Sequence, residues 1–401
     1  MATDTHHYRG ANYLRQRLLL STLTRRPVRV TDIRTQAESP GLQDFEANLL
    51  RLLDTITNGT NITVSETGTS VYFSPGELVG GEVTHDCNPS RPISYYLEVL
   101  LCLAPFCKFP VKARLRGITH SEGFPSIDTI RTVTLPTLAK LGVNNDNLAS
   151  TAQGSLHVVQ PPLALKVESR GDPAAPGIVS FTCPIVKSIP PVELLKEGRI
   201  RRVRGVAWTS KVSPQYAPMM IDSCRAVLNP YLADVWVFTD AAKKLPKEAR
   251  GGYGISLVAE TESGALISAD GMSEAEASTS SHGVTEPGQL GEEVARALLG
   301  EVDCGGVVDR QHQWLAALFM SMAADHKVST VVFGQELTPY TRAMLRNIRD
   351  FMGVAFKFNS QEVEEEVVLD EESDEKEMAL SRSVRLRCVG AGLKNVTRRT
   401  F

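Results

Sequence analysis

An α/β unit that recurs along the chain restricts its fold more than any other feature. Residues 11–24 (ANYLRQRLLLSTLT) carry apolar positions at helical spacing. PVRVTDIR (27–34) reads as a strand and PGLQDFEANLLRLLDTITNG (40–59) as a helix closed by Gly59. NITVSETGTSVYFSPG then supplies two short strands about Glu66-Thr67-Gly68, the pattern of a hairpin. The order returns from residue 80, with GGEVTHDC as strand, PISYYLEVLLCLAPFC as helix and VKARLRGITH as strand. SIDTIRTVTLPTLAKLGV follows as a helix that Pro136 is placed to kink, then SLHVVQ and LALKVES as strands. A third copy runs through the helices LGEEVARALLGEV and RQHQWLAALFMSMAAD and the strand KVSTVVFG. The helix TPYTRAMLRNIRDFMG and the strands VAFKF and SVRLRCVG complete it. One such unit cannot bury its own apolar faces, so three imply stacking around a shared core.

Between the second and third copies the pattern breaks. Residues 187–273, with a Pro-rich edge (IPPVELL) and a Gly-rich turn (RGGYG), place the strands IRRVRGVAWTS, DVWVFTD and ISLVAET around the helix PMMIDSCRAVLNPYL. The expected fold class is α/β, of the α+β kind: three repeated units and a small inserted α/β domain. The expected divisions are 1–186 for units one and two, 187–273 for the insert, and 274–401 for the third unit.

Charge separates the chain into two parts. Residues 361–378 hold ten acids and one lysine, a local charge of −9 against −3 for the whole, so the remainder is +6. Self-repulsion and lack of anything to bury predict a solvated, disordered acidic loop there. Docking of a basic partner is the alternative. No run of eighteen apolar residues occurs, so no membrane span and no membrane partner is expected. The opening MATDTHHYRGANYLRQR has no apolar core of a secretion leader, so none is expected, and the sequons at 58–60 and 61–63 carry no weight. Seven scattered cysteines form no CxxC pair; neither a zinc cage nor a disulfide framework is expected, and a reducing compartment fits.

YRGANYLRQRLLLSTLTRRPVRVTDIR, SPGLQDFEANLLRLLDTITNG, GGEVTHDCNPSRPISYYLEVLLCLAPF and RGITHSEGFPSIDTIRTVTLPTLAKLGV together resemble the RNA 3′-terminal phosphate cyclase superfamily. Within it they are similar to the cyclase-like nucleolar branch, over nearly the whole chain. The resemblance implies repeats like the C-terminal domain of translation initiation factor three. It implies a nuclear, nucleolar role in small-subunit processome assembly and 18S maturation. The implied partners are a large ribosome-assembly GTPase, processome proteins and pre-rRNA.

Cyclases form a covalent adenylate on a histidine, which needs a nucleophilic imidazole and cationic phosphate contacts. Aligning NIRDFMGVAFKF with the equivalent helix puts Arg342 at the nucleophile position; His326 and His312 lie on other elements, and no histidine follows Lys327. A guanidinium stays protonated, so it cannot substitute. The cyclase's N-terminal loop is reduced to Arg9-Gly10-Ala11. A basic pair becomes Ala37 and Ser39, a histidine becomes Glu46, and a glutamine of the nucleotide pocket becomes Glu98, expected to repel phosphates. Arg15 is the matched phosphate-pocket cation. No catalytic residue, no metal and no cofactor is expected.

Two enzymatic alternatives stay open: residual cyclase or nucleotide-binding activity, and site-specific cleavage of pre-rRNA by an Arg-Asp-x-Lys-type cluster. The matching positions are Arg346, Asn347, Ile348 and Arg349. The acid is missing, and Asn347 cannot serve as general base. Arginines at i and i+3 suit phosphate or partner contact. Candidate contacts are thus Arg15, Arg342, Arg346, Asn347 and Arg349. A basic surface is expected from Arg114 and Arg116, from Arg201, Arg202 and Arg204, and from Lys243 and Lys244, against the plain alternative of solvated strand edges.

Overall fold

The computed structural model describes residues 5–144, 160–241, 248–274, 285–368 and 376–396, without side chains for 274, 360–368 and 376–382. Three four-stranded sheets share one order and one set of directions. In the first, β1 (His6–Arg9) runs parallel to β2 (Val28–Thr31). β2 pairs antiparallel with β5 (Val71–Ser74), which pairs with β4 (Asn61–Val64). The two-residue strands β3 (Thr57–Asn58) and β6 (Glu77–Leu78) pair beside it. In the second, β7 (Gly80–Asp86), β8 (Phe109–Gly117), β10 (Gly177–Cys183) and β9 (Ala164–Ser169) follow in that order. In the third, β11 (Glu193–Leu194), β16 (Val328–Phe333), β18 (Lys376–Val389) and β17 (Lys357–Val368) do the same.

Each sheet carries its helices on the face that joins a common core. These are α1 (Leu14–Thr24), α2 (Asp44–Ile56), α3 (Ile93–Leu103), α4 (Ile127–Thr129), α5 (Leu135–Lys140), α8 (Gln313–Met322) and α9 (Pro339–Met352). Strand β8 shows why the sheets are one-sided: Val111, Ala113 and Leu115 are buried while Lys112, Arg114 and Arg116 alternate outward. A π-turn (Ile130–Thr134) links α4 to α5 just ahead of Pro136, which has no N–H to give to Thr132; the helix widens there.

The fourth sheet belongs to the insert: β13 (Val235–Ala241), β12 (Ile200–Ser210), β14 (Gly252–Thr261) and β15 (Leu266–Glu274). α6 (Tyr216–Leu228) and α7 (Pro287–Asp303) cover one face and form a second core with it. Spacing alone assigns α7 to the third unit, yet Leu290, Val294 and Leu298 are buried in this second core. Conversely, β11 lies within the expected insert 187–273 but pairs with β16. An amphipathic helix announces that it has a buried face, not which sheet covers it.

The acidic run also differs from expectation. Instead of a loop over 361–378, the backbone is strand through Val368 and again from Lys376, in a ladder from Lys357↔Arg387 to Val368↔Lys376. The register sets Glu362 opposite Arg382, and Val363, Val367 and Val368 favour extended backbone. Residues 369–375, and nearly all of the expected strand SLHVVQ, lie outside the described residues. Among the described residues no helix is long and apolar enough to cross a membrane.

Buried charge joins insert to body. Arg170 Nη1 donates to Asp128 Oδ2 at 2.8 Å and Arg170 Nη2 lies 2.7 Å from Asp240 Oδ2. Burial favours the neutral Asp128 carboxyl, but His120 and Arg170 outweigh it and hold the group well below the usual carboxylate range. His312, also buried, meets Asp309 Oδ1 at 2.5 Å and Thr134 Oγ1 at 2.7 Å. Burial alone would lower its pKa; Asp309 prevails and raises it. A raised histidine stabilises fully below its unfolded value of about 6.5 and loses that contribution as pH climbs through the folded value. Between about pH 6 and pH 9, the melting temperature of wild type should therefore fall more than that of His312→Gln. Equal slopes in a thermal scan would contradict this.

Candidate functional site

α1 packs against both α3 and α9, and the charges of the site lie along it. Arg15, near the start of α1, is largely buried, its side chain 14% exposed. Its Nη1 sits 2.5 Å from Glu98 Oε2 of α3, and the same nitrogen donates to the Tyr95 carbonyl at 3.1 Å. Nη2 donates to Tyr340 Oη of α9 at 2.9 Å, and the guanidinium carbon lies 4.7 Å from the Tyr95 ring centroid. The Arg15–Glu98 contact is close but not aligned as a hydrogen bond, so Glu98 Oε2 is held by charge. Burial opposes the charge on Arg15, yet Glu98 and the two tyrosines more than restore it and raise its pKa. Burial pushes the Tyr95 hydroxyl up to about 12.

A second acid is taken up the same way. Glu46 on α2 receives both Nη atoms of Arg34, at 2.7 and 2.6 Å, and the Gln43 backbone N–H at 2.9 Å. Arg34 holds the left-handed region at φ 46°, and its Nη1 also donates to the Gly41 carbonyl. Gly41 itself has φ +91°, and a Cβ there would stand 2.5 Å from the Thr67 carbonyl oxygen, so the turn admits only glycine. Glu98, read from sequence as repelling phosphates, and Glu46, read as the replacement of a histidine, are counter-ions for two arginines of this chain.

α9 is a strongly two-faced helix, capped at Thr338, whose Oγ1 accepts from Thr341 N. Its outward face carries Arg342, Arg346 and Arg349, all exposed. They rim a cleft of about 430 Å³ floored by apolar side chains, including Leu345, Phe356 and Phe358. Asn347 is not on this face. It is 6% exposed, and its Nδ2 donates to Gln16 Oε1 at 2.9 Å while Gln16 Nε2 donates to the Tyr340 carbonyl at 3.0 Å. The expectation that Asn347 contacts RNA or a partner is corrected: a 3.6-residue turn points it inward, where it latches α9 to α1. Arg15, expected as the matched phosphate-pocket cation, is paired with Glu98.

The remaining basic candidates lie apart. Arg114 pairs with Glu168 at 3.1 Å, Arg202 with Glu260 at 2.7 Å and Arg204 with Asp234 at 2.8 Å, while Arg116 and Arg201 are exposed. Lys243 and Lys244 fall outside the described residues. Of the two histidines nearest Arg342 in sequence, His312 is buried between Asp309 and Thr134 and His326 is a surface side chain beside Asp325. Among the described residues no three His, Cys, Asp or Glu side chains are grouped to hold a metal ion.

The family model described as RNA 3′-terminal phosphate cyclase matches residues 6–358. The chain belongs to that family. It is 40% identical over 401 residues to the RNA 3′-terminal phosphate cyclase-like protein of Homo sapiens, with 99% of each chain covered, and equally so to that of Mus musculus. The rRNA processing protein rcl1 of Schizosaccharomyces pombe is 34% identical over 395 residues, covering 98% of this chain and 97% of that protein. Within this chain the site holds an exposed arginine at position 342 and two acids, Glu98 and Glu46, that neutralise Arg15 and Arg34. Tyr340 and Gln16, which carry these contacts, had no sequence signal of their own, because their partners lie more than 300 residues away.

Glu98→Gln would leave Arg15 charged and buried without its counter-ion, and should destabilise the fold by about 3–5 kcal/mol in urea unfolding. Replacing both, Arg15→Met with Glu98→Leu, should recover most of that loss, since an apolar pair needs no desolvation. A cost below about 1 kcal/mol for Glu98→Gln would show the pair to be solvated after all.

Proposed function

We propose that this protein acts in ribosomal RNA processing as a binding factor without chemistry of its own. The single observation that carries this reading is the state of its charges. The arginines that remain exposed on α9 rim an apolar cleft, while Arg15 and Arg34 are paired with Glu98 and Glu46. Exposed arginines at helical i, i+4 and i+7 spacing track a phosphate backbone, and they need no proton transfer to do so. The relative named an rRNA processing protein supports the setting. From it we take the finer reading: a nucleolar member of the small-subunit processome, acting on early pre-rRNA toward 18S maturation alongside a large ribosome-assembly GTPase.

A site-specific pre-rRNA endonuclease is the second reading. Asp350 is the acid that favours it: it stands next to Arg349 (Nε to Oδ1 3.7 Å) with its side chain 39% exposed. Against it, Tyr8 Oη donates to Asp350 Oδ2, and Asn347, at the position where the cleavage cluster needs an acid, is sealed inside.

The two readings part in one experiment, a pre-rRNA fragment titrated with purified protein over a range of salt. Gln at Arg342, Arg346 and Arg349 together should weaken binding and reduce the slope of log affinity against log salt by about 2, at roughly 0.7 per phosphate of single-stranded RNA. The RNA should stay intact throughout. Cleavage at one position, lost in the Arg346→Gln or Arg349→Gln protein, would overturn the proposal in favour of the nuclease.

A further inference from the structure

We propose that the free edge of the inserted sheet is a stacking platform for single-stranded RNA, built on Trp236 and Phe238. The surface is distinct from the α9 cleft and shares with it only the class of ligand. β13 stands at one end of its sheet. Period two sends Val235 and Val237 into the second core, 8% and 6% exposed, and turns Trp236 and Phe238 outward, 54% and 58% exposed. Tyr231, just before the strand, is 75% exposed. Three of the exposed aromatics among the described residues thus fall within eight positions of sequence. Edge strands are ordinarily protected by charge or proline, and a cluster of exposed aromatic rings marks a surface that another molecule covers.

The surroundings say what covers it. α4 and the turn before it occupy the far half of the same sheet face: Ser126 N donates to Asp270 Oδ2 at 2.7 Å, and Ser126 Oγ meets Ser256 Oγ at 3.0 Å. The β13 side stays open, beside a cleft of about 320 Å³ walled by Phe238, Val206 and Val258 and entered past Arg131 and Arg204. The two rings stand 6.1 Å apart at 68°, an edge-to-face pair, and each remains more than half exposed despite that contact. Arg225 sits 5.9 Å from the Trp236 centroid.

Residues 199–241 carry six Lys or Arg against three Asp. Arg204 is paired with Asp234 and Arg202 with Glu260, while Asp240 is taken by Arg170, so the excess of positive charge rests on Arg199, Arg201, Lys211 and Arg225 against Asp222. Flat open rings in a basic setting fit a polyanion whose units have flat faces, which is single-stranded nucleic acid; in a duplex those faces are already stacked. An acidic protein segment would answer the charge but not the rings.

The chain supplies its own reporter. Of its three tryptophans, Trp208 and Trp314 are buried at 5% and 6%, so emission quenched by a ligand comes from Trp236. Titrating the full-length protein with an oligouridylate about 12 nucleotides long should quench it. Trp236→Ala with Phe238→Ala should weaken affinity for this oligonucleotide about tenfold with the melting temperature unchanged. Trp236→Phe should keep most of the affinity, and the α9 triple variant should keep the quench. Unchanged affinity in the double variant, or equal quenching by duplex RNA, would overturn the proposal. Quenching by a polyglutamate peptide but not by RNA would also overturn it, assigning the edge to an acidic protein partner.

Discussion

The buried contact between Arg15 and Glu98 is the constraint around which the three central helices are arranged. Taking a guanidinium and a carboxylate out of water costs several kcal/mol per ion, and their attraction recovers that only when further bonds complete the shell. Here the shell comes from all sides of the junction. Tyr95 and its carbonyl belong to the same helix as Glu98, and Tyr340 reaches in from α9. The Gln16–Asn347 bond ties the inner face of α9 to α1. The helical period of α9 then leaves Arg342, Arg346 and Arg349 outward while Asn347 is held against α1.

The same arithmetic of charge accounts for the pocket's chemistry. An arginine can neutralise a phosphate or a carboxylate of its own chain, and in this protein Arg15 and Arg34 each do the latter. Fold does not fix function; the side chains placed on it do. A family frame matched over residues 6–358 here carries surfaces suited to contact: arginines over an apolar cleft on α9, and aromatic rings on the edge of the insert.

Family and fold class were legible because they rest on long periodic segments. The amphipathic helix at 44–56, the alternating strand at 109–117 and the hairpin at 61–74 all declare themselves locally. β1 and β11 did not: HHYR is four residues without an apolar alternation, and β11 is two residues long, so only their parallel pairing defines them. The helical angle placed Arg346 and Arg349 on one face, and the structure keeps them there. It could not reveal that Glu98 meets Arg15, since residues 83 positions apart in sequence are brought together only by tertiary packing. Hence an acid that reads as repelling a phosphate turned out to hold an arginine. α7 was misplaced for a related reason, because a buried stripe does not name the sheet that buries it.

The most direct test is a calorimetric titration of magnesium–ATP into the full-length protein at concentrations that saturate an ATP-dependent enzyme. With Arg15 held by Glu98 and Arg34 by Glu46, the expected trace shows only the heat of dilution. A saturable one-to-one isotherm, abolished when Arg15→Met and Glu98→Leu are combined, would mean that the arginine is released to the nucleotide, and the inert-pocket account would fail.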